Sequence, residues 1–401
     1  MEIEIGRGKK ARRAYGFDDI AIVPSRRTRD AEDVDIAWRL GPHLLELPLM
    51  ASAMDGVVSP ATAVALGKLG GLGVLNLEGI WTRYEDADAQ LARIAEFDKG
   101  DATREMQRIY AEPVKPELVA RRVEEIKAEG VLAAASLTPQ RVREYWHLAL
   151  DAGLDVLVIQ GTVVSAEHVS TVVEPLNLKE FIAALPVPVI VGGCASYQAA
   201  LHLMRTGAAG VLVGVGPGAA CTTRGVLGVG VPQATAIADA GAARTQHLLE
   251  TGQYVNVIAD GGMRTGGDVS KAIACGADSV MVGSPLARAK EAPGRGFHWG
   301  MATFHPSLPR GTRVSTTQDG TMEEILLGPA QENDGTFNLM GALKTSMATC
   351  GYEDIRSFQR AEVMVAPALM SEGKKLQNEQ SVGMGSNGRA AVSAGVAVSD
   401  D

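Results

Sequence analysis

Residues 210–226 read GVLVGVGPGAACTTRGV. An apolar run opens into glycines and a proline, then presents Cys221, Thr222, Thr223 and Arg224 in succession. A thiol on so pliant a turn has the reach of a mobile nucleophile, because glycine admits backbone geometries that other residues resist and a thiolate attacks electrophilic carbon. The carbonyls of the same turn could face inward toward a cation. A cysteine that only fills space sits more naturally in a strand or helix, as Cys275 does in AIACGAD; a small residue tucked into a loop is the plain alternative for Cys221. Cys194, Cys221, Cys275 and Cys350 form no CxxC pair, so neither a zinc site nor a disulfide framework is suggested.

Two further stretches offer an anion site. ADGGMRTGGDVSKAI (259–273) and VGSPLARAK (282–290) are glycine-bearing turns that lead into helical sequence, where free N–H groups and the helix dipole suit a phosphate. Gly261, Gly262, Gly283 and Ser284 could instead serve only as tight turns. Asp260 ends an otherwise apolar run, where a carboxylate could accept from a pair of ribose hydroxyls or merely cap the turn that follows.

The elements that must position these residues repeat one pattern. Eight apolar runs, at 47–54, 72–76, 131–137, 156–161, 187–193, 210–215, 255–262 and 278–284, alternate with segments of helical spacing that end in glycine. Continuous rather than alternating hydrophobicity is what a strand covered on both faces requires. Eight strand–helix units predict a closed (β/α)8 TIM barrel, with a doubly wound open sheet as the alternative. In such a barrel chemistry belongs to the C-terminal ends of the strands, and a phosphate site recurs after strands 7 and 8. Residues 82–129 are charged and helical; 291–345 predict an irregular flap or finger insertion near the last unit; 372–401 predict a disordered tail. The expected organisation is a single catalytic domain over 1–371.

Composition narrows the partners. The chain of 401 residues is 46% hydrophobic and 21% charged with 46 glycines, which suits a glycine-punctuated α/β protein. A formal charge of −9 and the lack of a basic block argue against nucleic acid. The N-terminus lacks the apolar core of a signal peptide and no run reaches the ~18 residues of a membrane span, so no membrane partner and a cytoplasmic location are expected.

Phosphate loops after strands 7 and 8 could hold FMN, but flavin chemistry needs no thiol on a glycine hinge after strand 6, whereas covalent attack on a purine ring does. At this point the sequence resembles the family of IMP dehydrogenase and GMP reductase. YGFDDIAIVPS (15–25), LMASAMDGVVSPATAVALGKLGGLGVLN (49–76), GVGPGAACTTR (214–224) and VIADGGMRTGGDVSKAIACGADSVMVGSPLA (257–287) carry the likeness.

The resemblance implies that Cys221 attacks C2 of the purine, that Ser52 and Met54 line the nucleotide pocket, that Asp260 holds the ribose, and that Gly262, Gly283 and Ser284 bind the phosphate. Gly300 and Met301 would contact the base. It also implies NAD as cofactor, held by Gln160, Thr162, Gly192, Gly193 and Gly214, and a monovalent cation, K+, on the carbonyls of Gly216, Gly218 and Cys221. A homo-oligomer, a tetramer or octamer, is implied too.

Departures from the family pattern are specific. The pair of CBS modules usual between the second and third strands has no room in 82–129, so no CBS domain is expected. Gln160 replaces an aspartate beside the nicotinamide, His298 a phosphate-binding tyrosine and Ala219 a serine. The Arg-Tyr pair that activates water has no counterpart in TFHPSLPRGTRV (303–314); Arg310 stands where a glutamate or glutamine serves, with His305 nearby. These features resemble a shorter, dehydrogenase-related branch. The activity implied is NAD-dependent oxidation of IMP to XMP, in guanine nucleotide biosynthesis, through a covalent cysteine thioimidate. Water would be activated by Thr223 in relay with Arg310 or His305. The alternatives are GMP reductase, which expels ammonia from GMP with NADPH, and a catalytically silent purine-nucleotide-binding regulator.

Overall fold

The computed structural model describes residues 2–98, 100–171, 174–300, 313–369 and 371–383. Eight parallel strands close into a barrel: β1 (Leu49–Ala51), β2 (Leu72–Asn76), β3 (Ala134–Leu137), β4 (Val156–Gln160), β5 (Val189–Cys194), β6 (Gly210–Val213), β7 (Asn256–Asp260) and β8 (Ser279–Val282). Each strand pairs with the next in sequence, and Val280 opposite Leu49 closes the ring. Every apolar run of the sequence supplies one strand, and the (β/α)8 fold stands in place of the open sheet.

The runs are apolar throughout because both faces are covered. One set of positions, among them Met50, Val74, Ala134, Val158, Ile190, Leu212, Ile258 and Met281, forms an interior core. The intervening set, among them Leu75, Leu137, Ile159, Val191, Val213, Ala259 and Val282, packs outward in the larger core shared with the helices. That is the period-two geometry of strands expressed in an unbroken hydrophobic run.

Helices return the chain between strands. α1 (Pro60–Lys68) starts on a capping box in which Ser59 Oγ accepts from Thr62 N at 3.0 Å. The expected helical stretch 82–129 forms α2 (Ala87–Glu96), α3 (Ala102–Tyr110) and α4 (Pro116–Lys127). Then come α5 (Val142–Asp151), α6 (Leu178–Ala183), α7 (Tyr197–Met204), α8 (Gln233–Thr251) and α9 (Gly266–Ala274). Among the described residues no helix is long and apolar enough to cross a membrane.

One element had no signal in the sequence. Trp38–Leu40 and His43–Leu45 form an antiparallel hairpin whose Trp38, Leu40 and Leu45 join the interior core and plug the N-terminal end of the barrel. The Trp38 indole donates to Leu47 O at 2.8 Å. Emptying this position with Trp38→Ala would cost about 3–5 kcal/mol, the usual range for a buried aromatic.

The described part of 291–345 carries regular elements. α10 (Met322–Leu327) starts on a Thr321–Glu324 capping box, and α11 (Leu339–Thr349), which begins here and runs on past 345, has its first turn capped by Asn338 Oδ1 accepting from Gly341 N at 3.1 Å. Phe297–His298 also pairs with Val314–Ser315 as a two-stranded ribbon. The tail expected to be disordered from 372 begins with a helix, Lys375–Gln380, and Gly383 N donates to Asn333 Oδ1 at 3.1 Å. The rest of that tail, 384–401, lies outside the described residues.

Candidate active site

The C-terminal ends of the strands gather the residues singled out above. Cys221 is exposed, at the end of a loop that leaves β6 through Gly214–Ala220. Its N–H donates to Gly218 O at 3.0 Å, closing a tight turn, and its thiol donates to Thr223 Oγ1 at 3.2 Å. Thr223 is buried and opens a five-residue helix, Thr223–Leu227. Arg224 fastens the loop at its base, donating from Nε to Val215 O at 3.3 Å and from Nη2 to Val231 O at 2.6 Å. A Cβ on Gly216, whose φ is +76°, would lie 2.7 Å from Arg224 Cγ, so only glycine lets the guanidinium pass.

The loop after β7 lies directly against this one. A Cβ on Gly262, at φ +83°, would come within 3.0 Å of Pro217 Cβ. Gln233, which opens α8, binds both loops from below: its Nε2 donates to Val213 O at 2.8 Å and to Asp260 O at 3.0 Å. Gln233 has no signature in the sequence, because a helical glutamine reads as surface. Asp260 ends β7 with its carboxyl in the barrel mouth, where loss of solvent pushes its pKa up to about 7, partly offset by a hydrogen bond from Gln160 Nε2 at 3.2 Å. Gln160 Oε1 is buried with no partner among the described residues.

On the other side of the mouth, Ser52 and Met54 are buried after β1 and face Gly283 after β8. A Cβ on Gly283 would stand 2.6 Å from Met54 Sδ and 3.6 Å from Ser52 Oγ. Ser284 Oγ and His298 Nε2 are 2.8 Å apart. His298 is 1% exposed, its Nδ1 has no partner among the described residues, and burial pushes its pKa down to about 4. Gly300 follows at the end of the described segment, half-buried. Met301, His305 and Arg310 lie outside the described residues.

Two local details bear on these residues. The N-terminus of α9 was read as an anion site, but its own residues already occupy it: Thr265 Oγ1 accepts from Asp268 N at 3.2 Å, and Asp268 Oδ2 accepts from Arg264 N at 2.9 Å. A carboxylate in the first turn meets the helix dipole that a phosphate would have met. This leaves the Gly261–Gly262 turn and Gly283–Ser284 for an anion.

Gly192, Gly193 and Gly214, expected to touch a cofactor, are engaged in the barrel wall. Gly192 O accepts from Gly161 N at 2.9 Å, Gly193 N donates to Gly161 O at 3.1 Å, and Gly214 N donates to Cys194 O at 2.8 Å. Their missing side chains are needed for close strand packing: a Cβ on Gly214 would stand 2.1 Å from Asp260 O. Thr162, in the loop after β4, is half-buried at the rim.

A closed parallel barrel with an exposed thiol, a carboxyl and glycine turns gathered at one mouth has the architecture of a barrel enzyme. Residues 14–375 match the family model described as IMP dehydrogenase / GMP reductase domain. The chain is 47% identical to a protein of Mycolicibacterium smegmatis named only as an uncharacterized oxidoreductase, over 90% of this chain and 99% of that one. It is 27% identical to the inosine-5'-monophosphate dehydrogenase of Methanocaldococcus jannaschii, over 90% of this chain and 94% of that one. A crystal structure of an IMP dehydrogenase/GMP reductase-like protein from Corynebacterium glutamicum superposes with a TM-score of 0.87 at 47% identity, covering 91% of this chain and 98% of that one. The chain belongs to the IMP dehydrogenase/GMP reductase family and is an oxidoreductase of that family.

Proposed function

We propose that the chain is an NAD-dependent IMP dehydrogenase that converts IMP to XMP through a covalent adduct on Cys221. The observation that carries this reading is the exposed Cys221 thiol, paired with Thr223 Oγ1 on a loop packed against the turn after Asp260. Asp260 holds the ribose as an anion, Gly262, Gly283 and Ser284 hold the phosphate with His298 beside it, and Ser52, Met54 and Gly300 border the base; Met301 would join them.

The Cys221 thiolate adds to C2 of the purine, and hydride departs from the same carbon. NAD+, when bound, supplies the acceptor for that hydride. Water then attacks the thioimidate at C2, the carbon–sulfur bond breaks, and the thiol returns as XMP forms. Thr223, two residues from the nucleophile, would relay the proton of that water, with Arg310 or His305, which lie outside the described residues, as the expected base.

The buried, unpartnered Oε1 of Gln160 fits a dinucleotide group that donates hydrogen bonds, with Thr162 at the rim. The Gly216–Cys221 turn offers carbonyl oxygens of the kind that suit a hard monovalent cation such as K+; Gly218 O already accepts one N–H and retains a second lone pair. Assembly as a tetramer or octamer and a cytoplasmic location belong to the same proposal.

GMP reductase is the second reading, favoured by the compact helices α2–α4 where the larger dehydrogenases resembled above have CBS modules. Steady-state assays with IMP plus NAD+ and with GMP plus NADPH separate the two. Turnover with GMP and NADPH alone overturns the dehydrogenase reading; turnover with neither pair favours a silent binder.

A further inference from the structure

One buried polar chain has no part in the chemistry above. Asp55, one residue after Met54, is 1% exposed. Its Oδ2 accepts from Ile80 N at 3.1 Å and from the phenol of Tyr110, while Oδ1 has no partner among the described residues. The Tyr110 oxygen accepts in turn from Trp299 Nε1 at 2.7 Å. Arg83 stands over the Tyr110 ring at 5.9 Å and is itself held by Glu78 O and Glu112 O. The pocket is built around Asp55: a Cβ on Gly79 would lie 1.9 Å from its Oδ1.

The three groups come from distant parts of the chain. Asp55 is in the loop after β1, Tyr110 is the last residue of α3, and Trp299 lies between His298 and Gly300. The end of α2 also holds Arg313, the residue before the opposite strand of the 297–298/314–315 ribbon. Arg313 donates to the carbonyls of Ile94 and Phe97 at the end of α2, with its guanidinium 4.1 Å from the centroid of the Phe297 ring. Apolar packing would have docked α2 and α3 on the barrel without burying a carboxyl. Directional hydrogen bonds in a dry setting add a fixed orientation, which packing alone does not give.

We propose that Asp55 and Tyr110 are positioning residues for nucleotide binding, acting through the Trp299 indole to fix the backbone at 298–300. They thereby set the reach of His298 to Ser284 and the place of Gly300 beside the base. The inference rests on the nucleotide site of the proposed function, but not on the direction of the redox reaction. Both IMP and GMP would carry their phosphate to the same position.

The mechanism is directional. Tyr110 donates to Asp55 and so keeps its lone pairs toward Trp299. Removing the hydroxyl leaves the indole N–H unpaired in a dry pocket, and Trp299 and its neighbours lose their registration. Asp55 is faced by Tyr110, the Ile80 N–H and Arg83, and beyond Arg83 by Glu78 and Arg141. Its acidic limb would overlap that of Asp260, so a pH profile is a poorer test than a mutant cycle.

The test uses Tyr110→Phe, Trp299→Phe and the double variant of the full chain. IMP and GMP affinities are titrated and melting temperatures recorded. Each single change is expected to weaken binding of whichever nucleotide the parent takes by about 10-fold or more, the scale of one buried hydrogen bond to a charged network. The double variant is expected to bind no more weakly than the worse single, because both changes break one connection. In assays KM should rise while kcat changes little. Affinity within about 2-fold of the parent for Tyr110→Phe, or losses that multiply in the double variant, overturns the proposal. If Trp299→Phe does not fold, Asp55→Asn replaces it in the cycle. A parent that binds GMP but not IMP removes the dehydrogenase reading and still tests this one; a parent that binds neither overturns the nucleotide site and this inference together.

Discussion

Gln160 Nε2 donates to Asp260 Oδ2 across 3.2 Å, joining the ends of β4 and β7 over the barrel mouth. That hydrogen bond favours the Asp260 anion, yet burial wins and the pKa rises to about 7. Ribose hydroxyls need the anion as acceptor. Nucleotide affinity is therefore expected to increase from about pH 6 to pH 8 and then level off. Gln160→Leu removes the donor and should move that rise to higher pH, measurable by titration across the range. For stability the sign is opposite: a carboxyl whose folded pKa is raised favours folding fully below its unfolded value, and that contribution is lost as pH climbs through about 7. Asp260→Asn should thus melt higher than the parent at pH 8 while binding nucleotide more weakly. An affinity independent of pH would remove Asp260 from the ribose.

His298 poses the converse case. Burial holds its pKa down at about 4, so the imidazole is neutral near pH 7. Its contribution to stability is fully present above the ordinary histidine value and lost as pH falls toward about 4. A phosphate dianion at Ser284 would favour the imidazolium, so His298 should take up protons on nucleotide binding while Asp260 releases them. Calorimetry in two buffers of different ionisation enthalpy reads the balance. His298→Gln should shift that balance toward release; an unchanged balance would separate His298 from the phosphate.

Gly283 is constrained by Met54 as well as by the phosphate proposed there. The Cβ of Gly283→Val would meet Met54 Sδ at 2.6 Å and displace that side chain from the proposed base site. IMP affinity should fall about 10-fold or more, with the fold preserved because the thioether can swing aside. Unchanged affinity would shift the nucleotide away from β1 and β8.

In the proposed reaction the Cys221–Thr223 pair divides the chemistry in two. Cys221→Ala should bind IMP and show no hydride transfer. Thr223→Val should complete the first turnover and slow hydrolysis by about 10²-fold, the scale of one proton-transfer group. The signature is a burst of NADH equal to the enzyme present, with the adduct visible in the intact mass. If burst and steady state fall together, Thr223 serves binding or hydride transfer instead.

Much of this site could be read before the fold was known, because strands covered on both faces leave a blunt signal and functional loops interrupt it. The thiol of Cys221, the carboxyl of Asp260 and the glycine turns all fall where an apolar run stops. The polar partners of those groups were hidden. Tyr110 ends an ordinary amphipathic helix, Gln233 opens another, and their roles depend on loops distant in sequence. Asp55 did have a signal, a carboxylate inside LMASAMDGVV, but its meaning required Tyr110 and Trp299. The hairpin Trp38–Leu45 escaped because two three-residue strands are too short to show a period. Gly192 and Gly214 pack closely in the barrel wall, and a glycine needed for such packing looks the same in sequence as one needed by a ligand.

That hairpin leaves the barrel with one working face. Trp38, Leu40 and Leu45 complete an interior already filled by side chains, so nothing passes through the barrel. Whatever the proposed site takes would come and go on the side that bears Cys221. A substrate and a second ligand would then share a single approach, and a short piece of chain at the opposite pole helps to keep it single without touching either.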